Sequence, residues 1–272
     1  MRLAISNLAW TTADDAAVGL ILSQQGIDAI DVAPSKYFAD LPRASDADIK
    51  EVRAQWASRG VDITGMQSLL YGTSGLNLFG PAEVQRAMLD HLAAIARVGA
   101  VLGATRLTFG SPRNRDRTGL ADHEAHVIAT EFFWRLGEIG AREGVVFCLE
   151  ANPPRYGSNF MVTTLEAARV VRLVGHKAIR LQIDTGALMI AEEDPEAVLT
   201  EVAPLVGHIH ISEPDLVETG TGGVEHAQLG RILGALHPRS VATLEMATPA
   251  TPGLAALARA LAFAKIHYEG SR

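Results

Sequence analysis

Eight short runs rich in Val, Ile and Leu, each followed by a longer amphipathic segment, constrain this chain more than any other feature of it. The runs are RLAIS at 2–6, IDAIDV at 27–32, VDITGMQ at 61–67, TRLTFG at 105–110, VVFCLE at 145–150, IRLQID at 179–184, GHIHIS at 207–212 and VATLEM at 241–246. β-Branched side chains suit a pleated, buried surface, and runs this short are strands rather than helices. The segments between them carry helix signals. PAEVQRAMLDHLAAIARVGAVLG starts at Pro81, and in TTLEAARVVRLVG the residues Thr163 and Glu166 stand at capping-box spacing. Gly26, Gly60, Gly103 and Gly144 fall where a helix should stop before the next strand.

Strand–helix alternation produces a parallel sheet, either open and doubly wound or closed into a barrel. An open nucleotide-binding sheet places a glycine-rich phosphate loop after its first strand, whereas here that strand runs into SNLAWTT, without glycine. No linker, low-complexity tract or break in composition interrupts the 272 residues. The pattern predicts an α/β fold: a single (β/α)8 TIM barrel over residues 1–272.

Composition narrows the partners. A net charge of −7 with both signs interspersed lacks the basic patch that phosphate backbones select, so no nucleic-acid partner is expected. The single cysteine, Cys148, excludes an internal disulfide and a cysteine-built metal site. The N-terminus shows no signal-peptide run and no segment reads as a membrane span, so a cytoplasmic protein without a membrane partner is expected.

In such a barrel, residues facing outward pack on helices and should be apolar, while functional groups belong at the inward, C-terminal ends of strands. The last four strands follow this rule closely. Phe147 and Leu149, Leu181 and Ile183, Ile209 and Ile211, and Ala242 and Leu244 make the outward faces. The opposite faces end in Glu150, Asp184, His210 and Glu245. Three carboxylates and an imidazole converging without a nearby arginine repel one another, and a divalent cation removes the conflict. An oxygen and nitrogen donor set of this kind suits one Mn²⁺, with Mg²⁺, Co²⁺ and Zn²⁺ as alternatives. His208 lies a layer deeper than His210 and is expected to orient a neighbour by hydrogen bonding.

At these residues the chain resembles the xylose-isomerase-like TIM-barrel superfamily of sugar isomerases and epimerases, which also contains endonuclease IV. The motifs are CLEANP with Glu150, QIDTG with Asp184, GHIHISE with His210 and TLEM with Glu245, and their separations of 34, 26 and 35 residues are close to those of ketose 3-epimerases. The resemblance implies a metal shell of Glu150, Asp184, His210 and Glu245. It also implies that Glu150 and Glu245 form the acid–base pair of an enediolate mechanism. Three departures accompany it. Ala187 stands where the family has a substrate-contacting histidine, Leu216 where it has an arginine, and Tyr156 where it has a glutamate.

A replacement substrate clamp must come from other loops that follow strands. Candidates are Asn7 and Trp10 after the first strand, Lys36 after the second, Gln67 and Tyr71 after the third, and Arg113, Asn114 and Arg115 after the fourth. Asn152 and Arg155 follow Glu150, and Glu213 follows His210. Arg113, Arg115 or Lys36 would suit a substrate phosphate or carboxylate. Trp10 and Phe79 would wall the site or a sugar face, or else pack in the core or at an oligomer contact, and TGTGGVEHAQLGRIL from 219 reads as a mobile lid or loop closure.

These readings favour a metal-dependent isomerase or epimerase acting on a ketose, sugar acid or related carbohydrate. A dehydratase of inosose type, working through the same enediolate, is the first alternative. A barrel that binds metal or ligand without turnover is the second. An endonuclease-IV-like hydrolase is disfavoured, because its multi-zinc site needs further histidines and the third and fourth strands end in Gln67 and Gly110. The resemblance also implies assembly as a homodimer or homotetramer.

Overall fold

A computed structural model describes residues 1–248 and 254–269. The eight predicted runs form β1 (Arg2–Ser6), β2 (Ala29–Val32), β3 (Asp62–Met66), β4 (Arg106–Phe109), β5 (Val146–Glu150), β6 (Ile179–Asp184), β7 (Val206–Ser212) and β8 (Val241–Glu245). They are parallel and ordered in sequence, and β8 closes on β1 through the pairs from Arg2 with Val241 to Ile5 with Leu244. The chain is a (β/α)8 TIM barrel, as the strand–helix alternation predicts. The helices of the outer ring are α1 (Asp15–Gln25), α2 (Asp46–Ala57), α3 (Ala82–Leu102), α4 (Asp122–Glu143), α5 (Thr164–Val174), α6 (Thr185–Ile190), α7 (Pro195–Val202), α8 (His226–Leu236) and α9 (Ala255–Tyr268). None of the described helices is long and apolar enough to cross a membrane.

Local chemistry explains the boundaries. Pro81 caps α3, where its missing N–H costs nothing, and Gly103 ends that helix in a left-handed conformation closed to most other residues. Thr163 accepts from the Glu166 amide at 3.1 Å, but the Glu166 carboxylate accepts from the Val162 amide at 2.9 Å, one residue earlier than a capping box places it. The outward residues of β5 to β8 are all fully buried against helices. Edge-to-face packing of Phe109 on Phe133, with ring centroids 5.2 Å apart, is one such contact between strand and helix.

Two register shifts prepare the interior for polar groups. Ile30 pairs with Ile63 and Asp31 with Gly65, so Thr64 is the extra residue of β3 and its hydroxyl reaches Asp31 Oδ1 at 3.0 Å. A Cβ on Gly65 would fall 2.6 Å from that same oxygen, so the position needs glycine. Likewise Leu181 pairs with Val206 and Gln182 with His208, which leaves Gly207 unpaired and sets His208 and His210 on the inward phase.

The barrel's last helices also meet through a glycine. A Cβ on Gly230 would sit 2.0 Å from the backbone oxygen of His267, whereas one on Gly234 in the same helix meets nothing within 4 Å. We expect Gly230→Ala to destabilise the fold by about 2 kcal/mol or more, since α8 and α9 must separate to admit it. Gly234→Ala should be neutral or stabilising by roughly 0.5–1 kcal/mol. Urea denaturation of the two variants checks this; equal effects would contradict the packing described.

Candidate active site

Four successive strand ends bring the predicted cluster together. Donor atoms of Glu150, Asp184, His210 and Glu245 lie within 4.8 Å of one another at the C-terminal mouth of the barrel. His210 Nδ1 is 3.3 Å from Glu150 Oε1 and 3.1 Å from Glu245 Oε2, yet neither ring nitrogen makes a well-directed hydrogen bond. Glu150 Oε1 is also buried without a hydrogen-bond partner. Asp184 is held more fully. Its Oδ1 accepts from the Ala187 amide at 2.6 Å, capping α6, and its Oδ2 from the Ser212 hydroxyl at 2.7 Å. Gln67, at the end of β3, donates to Glu245 Oε1.

Without a cation, this arrangement retains protons. Burial, reinforced by repulsion from Glu150 and Glu245, pushes the Asp184 carboxyl up to about 7. Burial opposes a charged His210, but the charge of Glu245, contacts with both glutamates and the charge of Glu150 outweigh it and raise the imidazole well above its ordinary range. Burial also opposes ionisation of Glu245, but the charge and contact of His210, together with Gln67, hold its pKa below the usual carboxylate value. Among the described residues, no lysine or arginine forms an ion pair with these three carboxylates. Oxygen donors converging with unpartnered imidazole nitrogens in a buried pocket fit a divalent metal ion.

A second polar layer lies beneath. Asp31, His208 and His210 also come within 4.8 Å of one another, but the hydrogen-bonding capacity of Asp31 is engaged. Its Oδ2 accepts from His208 Nε2 at 2.5 Å and from the Thr243 hydroxyl at 2.8 Å, and its Oδ1 from Thr64. Burial raises the pKa of Asp31, but the charge and hydrogen bond of His208, the charge of His210 and the Thr243 hydroxyl more than offset this. Asp31 Oδ2 stands 3.9 Å behind His210 Nε2, which places a carboxylate at the back of the imidazole. The sequence reading did not single out Asp31. The available signal was an acidic residue inside the apolar run IDAIDV, on the inward phase.

Several expected substrate contacts occupy other places. Arg115 is wholly buried, donating to the Glu150 carbonyl oxygen at 2.7 Å and to Asn152 Oδ1 at 2.6 Å. Its burial without a carboxylate partner drives the guanidinium down to about 10, against the pull of Glu150. Asn152 in turn donates to Glu150 Oε2 at 3.3 Å, so both residues support Glu150 from behind. Lys36 is spent on the carbonyl oxygens of Asn7 and Trp10, at 2.5 and 2.6 Å. The Asn7 side chain accepts from the Ala33 amide, and Trp10 is core, bonded to Asp15 and edge-on to Trp56. Phe79 packs edge-on against Phe160.

Glu213 is buried and staples the glycine-rich segment: it accepts from the amides of Gly220 and Val224 and from His226 Nε2 at 2.9 Å. His226 Nδ1 then accepts from the Tyr268 hydroxyl at 2.7 Å. In this structure Glu213 and His226 hold that segment against the barrel.

A cavity of about 790 Å³ opens above the cluster, with Glu150, His210 and Glu245 in its floor and Gln67, Tyr71 and Arg113 in its walls. The two glutamates each keep 12% of their side-chain surface exposed, while His210 keeps 1%. The two glutamates thus face the cavity more openly than His210 does.

A closed parallel barrel with its ionisable groups gathered at the C-terminal mouth defines a TIM-barrel protein with an enzyme-like site. Residues 21–266 match the profile of the xylose isomerase-like TIM barrel, and the chain belongs to that family. No curated protein matches it. Among solved structures, it is similar to D-psicose 3-epimerase from Clostridium cellulolyticum H10, with 20% identity over 98% of this chain and 99% of the other and a TM-score of 0.82. It is also similar to 3-keto-D-glucoside 4-epimerase from E. coli, with 19% identity over 98% and 99% and a TM-score of 0.79. The likeness extends to an AP endonuclease of family 2 from Brucella melitensis, with 16% identity over 95% and 99% and a TM-score of 0.75. Identities this low establish a shared fold.

Two predictions follow from the cluster. To serve as ligands, Asp184 and His210 must both be unprotonated. Below about pH 7 Asp184 carries a proton that an incoming ion must displace; above it only the His210 proton remains. Mn²⁺ affinity should therefore fall as the pH drops through 7. Proton release per ion should be larger below pH 7, where the Asp184 proton is also displaced, than above it. Calorimetry in buffers of different ionisation enthalpy reads both, and a pH-independent affinity would contradict the assignment. Separately, Arg115→Met should weaken Mn²⁺ binding by about tenfold or more, because the Glu150 carbonyl and Asn152 lose their donor.

Proposed function

We propose that this protein is a divalent-metal-dependent isomerase or epimerase of a sugar or sugar derivative, with Mn²⁺ as the first choice of ion. The observation that carries the reading is the His210 imidazole, with both nitrogens free of well-directed hydrogen bonds, set between two glutamates that face a large cavity. Glu150, Asp184, His210 and Glu245 would hold the ion. When bound, it would neutralise the carboxylates and polarise the substrate carbonyl.

The protein's own groups supply the proton transfers. Glu150 ends β5 and Glu245 ends β8, with β6 and β7 between them around the ring, so the two carboxylates approach the cavity from different sides. One removes the proton from the carbon next to the carbonyl, and the other returns a proton to the opposite face or to the neighbouring carbon. Arg115 and Asn152 fix Glu150, and Gln67 fixes Glu245, so neither carboxylate has to be ordered when substrate arrives. The cavity wall includes Tyr71, whose hydroxyl would be available to a polyol. Similarity to two sugar epimerases supports this reading, as does membership of the family.

The test uses Mn²⁺-loaded protein with a panel of ketoses in D₂O, following deuterium on the carbons beside the carbonyl by mass spectrometry. Wild type should incorporate deuterium. Glu245→Gln should lose ~10²-fold or more of the exchange while keeping part of its Mn²⁺, as expected for removal of an acid–base group. A Glu245→Gln variant that exchanged at the wild-type rate would sink the assignment. Loss of water from the substrate, in place of a changed configuration, would identify the dehydratase alternative.

A further inference from the structure

We infer that the substrate carries an anionic group, a phosphate or a carboxylate, at the end remote from the reacting carbons, and that Arg113 receives it. This rests on the function proposed above and assigns its substrate class.

The cavity is lopsided. On the side of β5 and β7 the polar groups satisfy one another: Arg155 pairs with Asp215, and the Tyr156 hydroxyl accepts from the Asp215 amide at 2.8 Å. Leu216, in the same turn, offers no charge. The open volume lies instead over the loops after β3 and β4, whose segments 67–76 and 108–114 form most of its wall. Those segments contain no Asp or Glu, and Arg113 is their only cation. Among the described residues, the Arg113 side chain makes neither an ion pair nor a hydrogen bond, and it is exposed.

The turn that bears it is nevertheless anchored throughout. Gly110 leaves β4 so close to Glu150 that a Cβ there would lie 2.0 Å from Oε2. The Ser111 hydroxyl donates to Asn114 Oδ1 at 2.5 Å, and Asn114 Nδ2 donates to the Leu76 carbonyl at 2.8 Å. The Leu78 amide donates to the Asn114 carbonyl at 2.9 Å, and Arg115 is buried under Glu150. Every other polar side chain of the turn is consumed in holding it, so Arg113 is presented from a fixed backbone with its five donors free. Lys36 and Arg115, the other cations that suited an anion by sequence, are both consumed within the protein. A planar, unpaired guanidinium on a rigid support at the edge of a cavity suits a phosphate or carboxylate held by two parallel hydrogen bonds.

The experiment compares three six-carbon probes: D-fructose, D-fructose 6-phosphate and 5-keto-D-gluconate. Their binding to Mn²⁺-loaded wild type, Arg113→Gln and Arg113→Lys is measured by calorimetry at low ionic strength. At least one anionic probe should bind about tenfold or more tightly than D-fructose. Arg113→Gln should remove that advantage without changing D-fructose affinity, and Arg113→Lys should keep much of it. The preferred anion identifies phosphate or carboxylate as the group received. Equal affinity for neutral and anionic probes, an advantage that survives in Arg113→Gln, or no binding of any probe would each overturn the inference. Deuterium exchange in the same samples separates the two claims. Exchange into D-fructose with no anionic preference leaves the isomerase reading standing and removes this one. Arg113-dependent anion binding without exchange into any probe does the reverse.

Discussion

Three carboxylates held within 4.8 Å of one another, around a buried imidazole, impose the condition that the rest of this barrel satisfies. At such separations each pair of like charges repels by roughly 4 kcal/mol at an effective dielectric constant of 20, so the three cannot all be ionised without a compensating cation. With no cation present, protons take that role: Asp184 keeps its own and His210 takes up another. The cluster is thus a site built for positive charge. Its neighbours do not relieve the repulsion but fix where it occurs. The Ala187 amide and Ser212 hydroxyl hold Asp184, Gln67 holds Glu245, and Asn152 holds Glu150.

Geometry on that scale depends on the layer beneath. The β2–β3 bulge turns Thr64 onto Asp31, and Gly65 leaves room for the carboxylate. The β6–β7 shift brings His208 to the same carboxylate, and Thr243 closes the set from β8. Four strands are thereby tied at one buried oxygen pair directly under His210. An isolated buried charge of this kind would be destabilising; one with three donors and a histidine beside it becomes a rigid floor. Arg115 has the corresponding part at the β4–β5 side, with its charge buried against carbonyl and amide oxygens rather than a carboxylate. That choice leaves the Glu150 carboxylate free for the cavity.

The barrel and the convergence of the carboxylates with His210 were legible in the sequence because both follow from period-two alternation. Ile209 and Ile211 had to face helices, so His208 and His210 had to face in, and the same logic placed Glu150, Asp184 and Glu245. Charges beyond the strands were not legible. Lys36, Arg113 and Arg115 occupy loops after strands and look alike in sequence, yet one is bound by backbone carbonyls, one is free and one is buried. Which of these states a loop cation adopts depends on three-dimensional neighbours such as Asn7, Asn114 and Asn152, far apart in the chain. Asp31 was hidden for a different reason. The bulge that gives it a partner is a property of strand pairing, and no local pattern encodes that register. The anchoring of the glycine-rich segment after β7 was not legible either, because it rests on Glu213 and His226 meeting across it.

The positions where this chain departs from the sugar epimerases it resembles bear on where recognition resides. Ala187 spends its amide on Asp184, Tyr156 receives the Asp215 amide, and Leu216 lies in the turn that Arg155 closes through Asp215. That side of the mouth is therefore built from residues that bind one another, and an arginine restored at 216 would enter a turn already holding an arginine–aspartate pair. The cluster is supported from both sides, by Gln67 and Arg115 after β3 and β4 and by Asn152, Ala187 and Ser212 along β5 to β7. Chemistry and recognition are separable in such a barrel because the strand ends fix the first and the loops the second. Here the four strand-end groups stand together, one wall of the mouth is closed by its own polar pairs, and the cavity opens over the loops after β3 and β4.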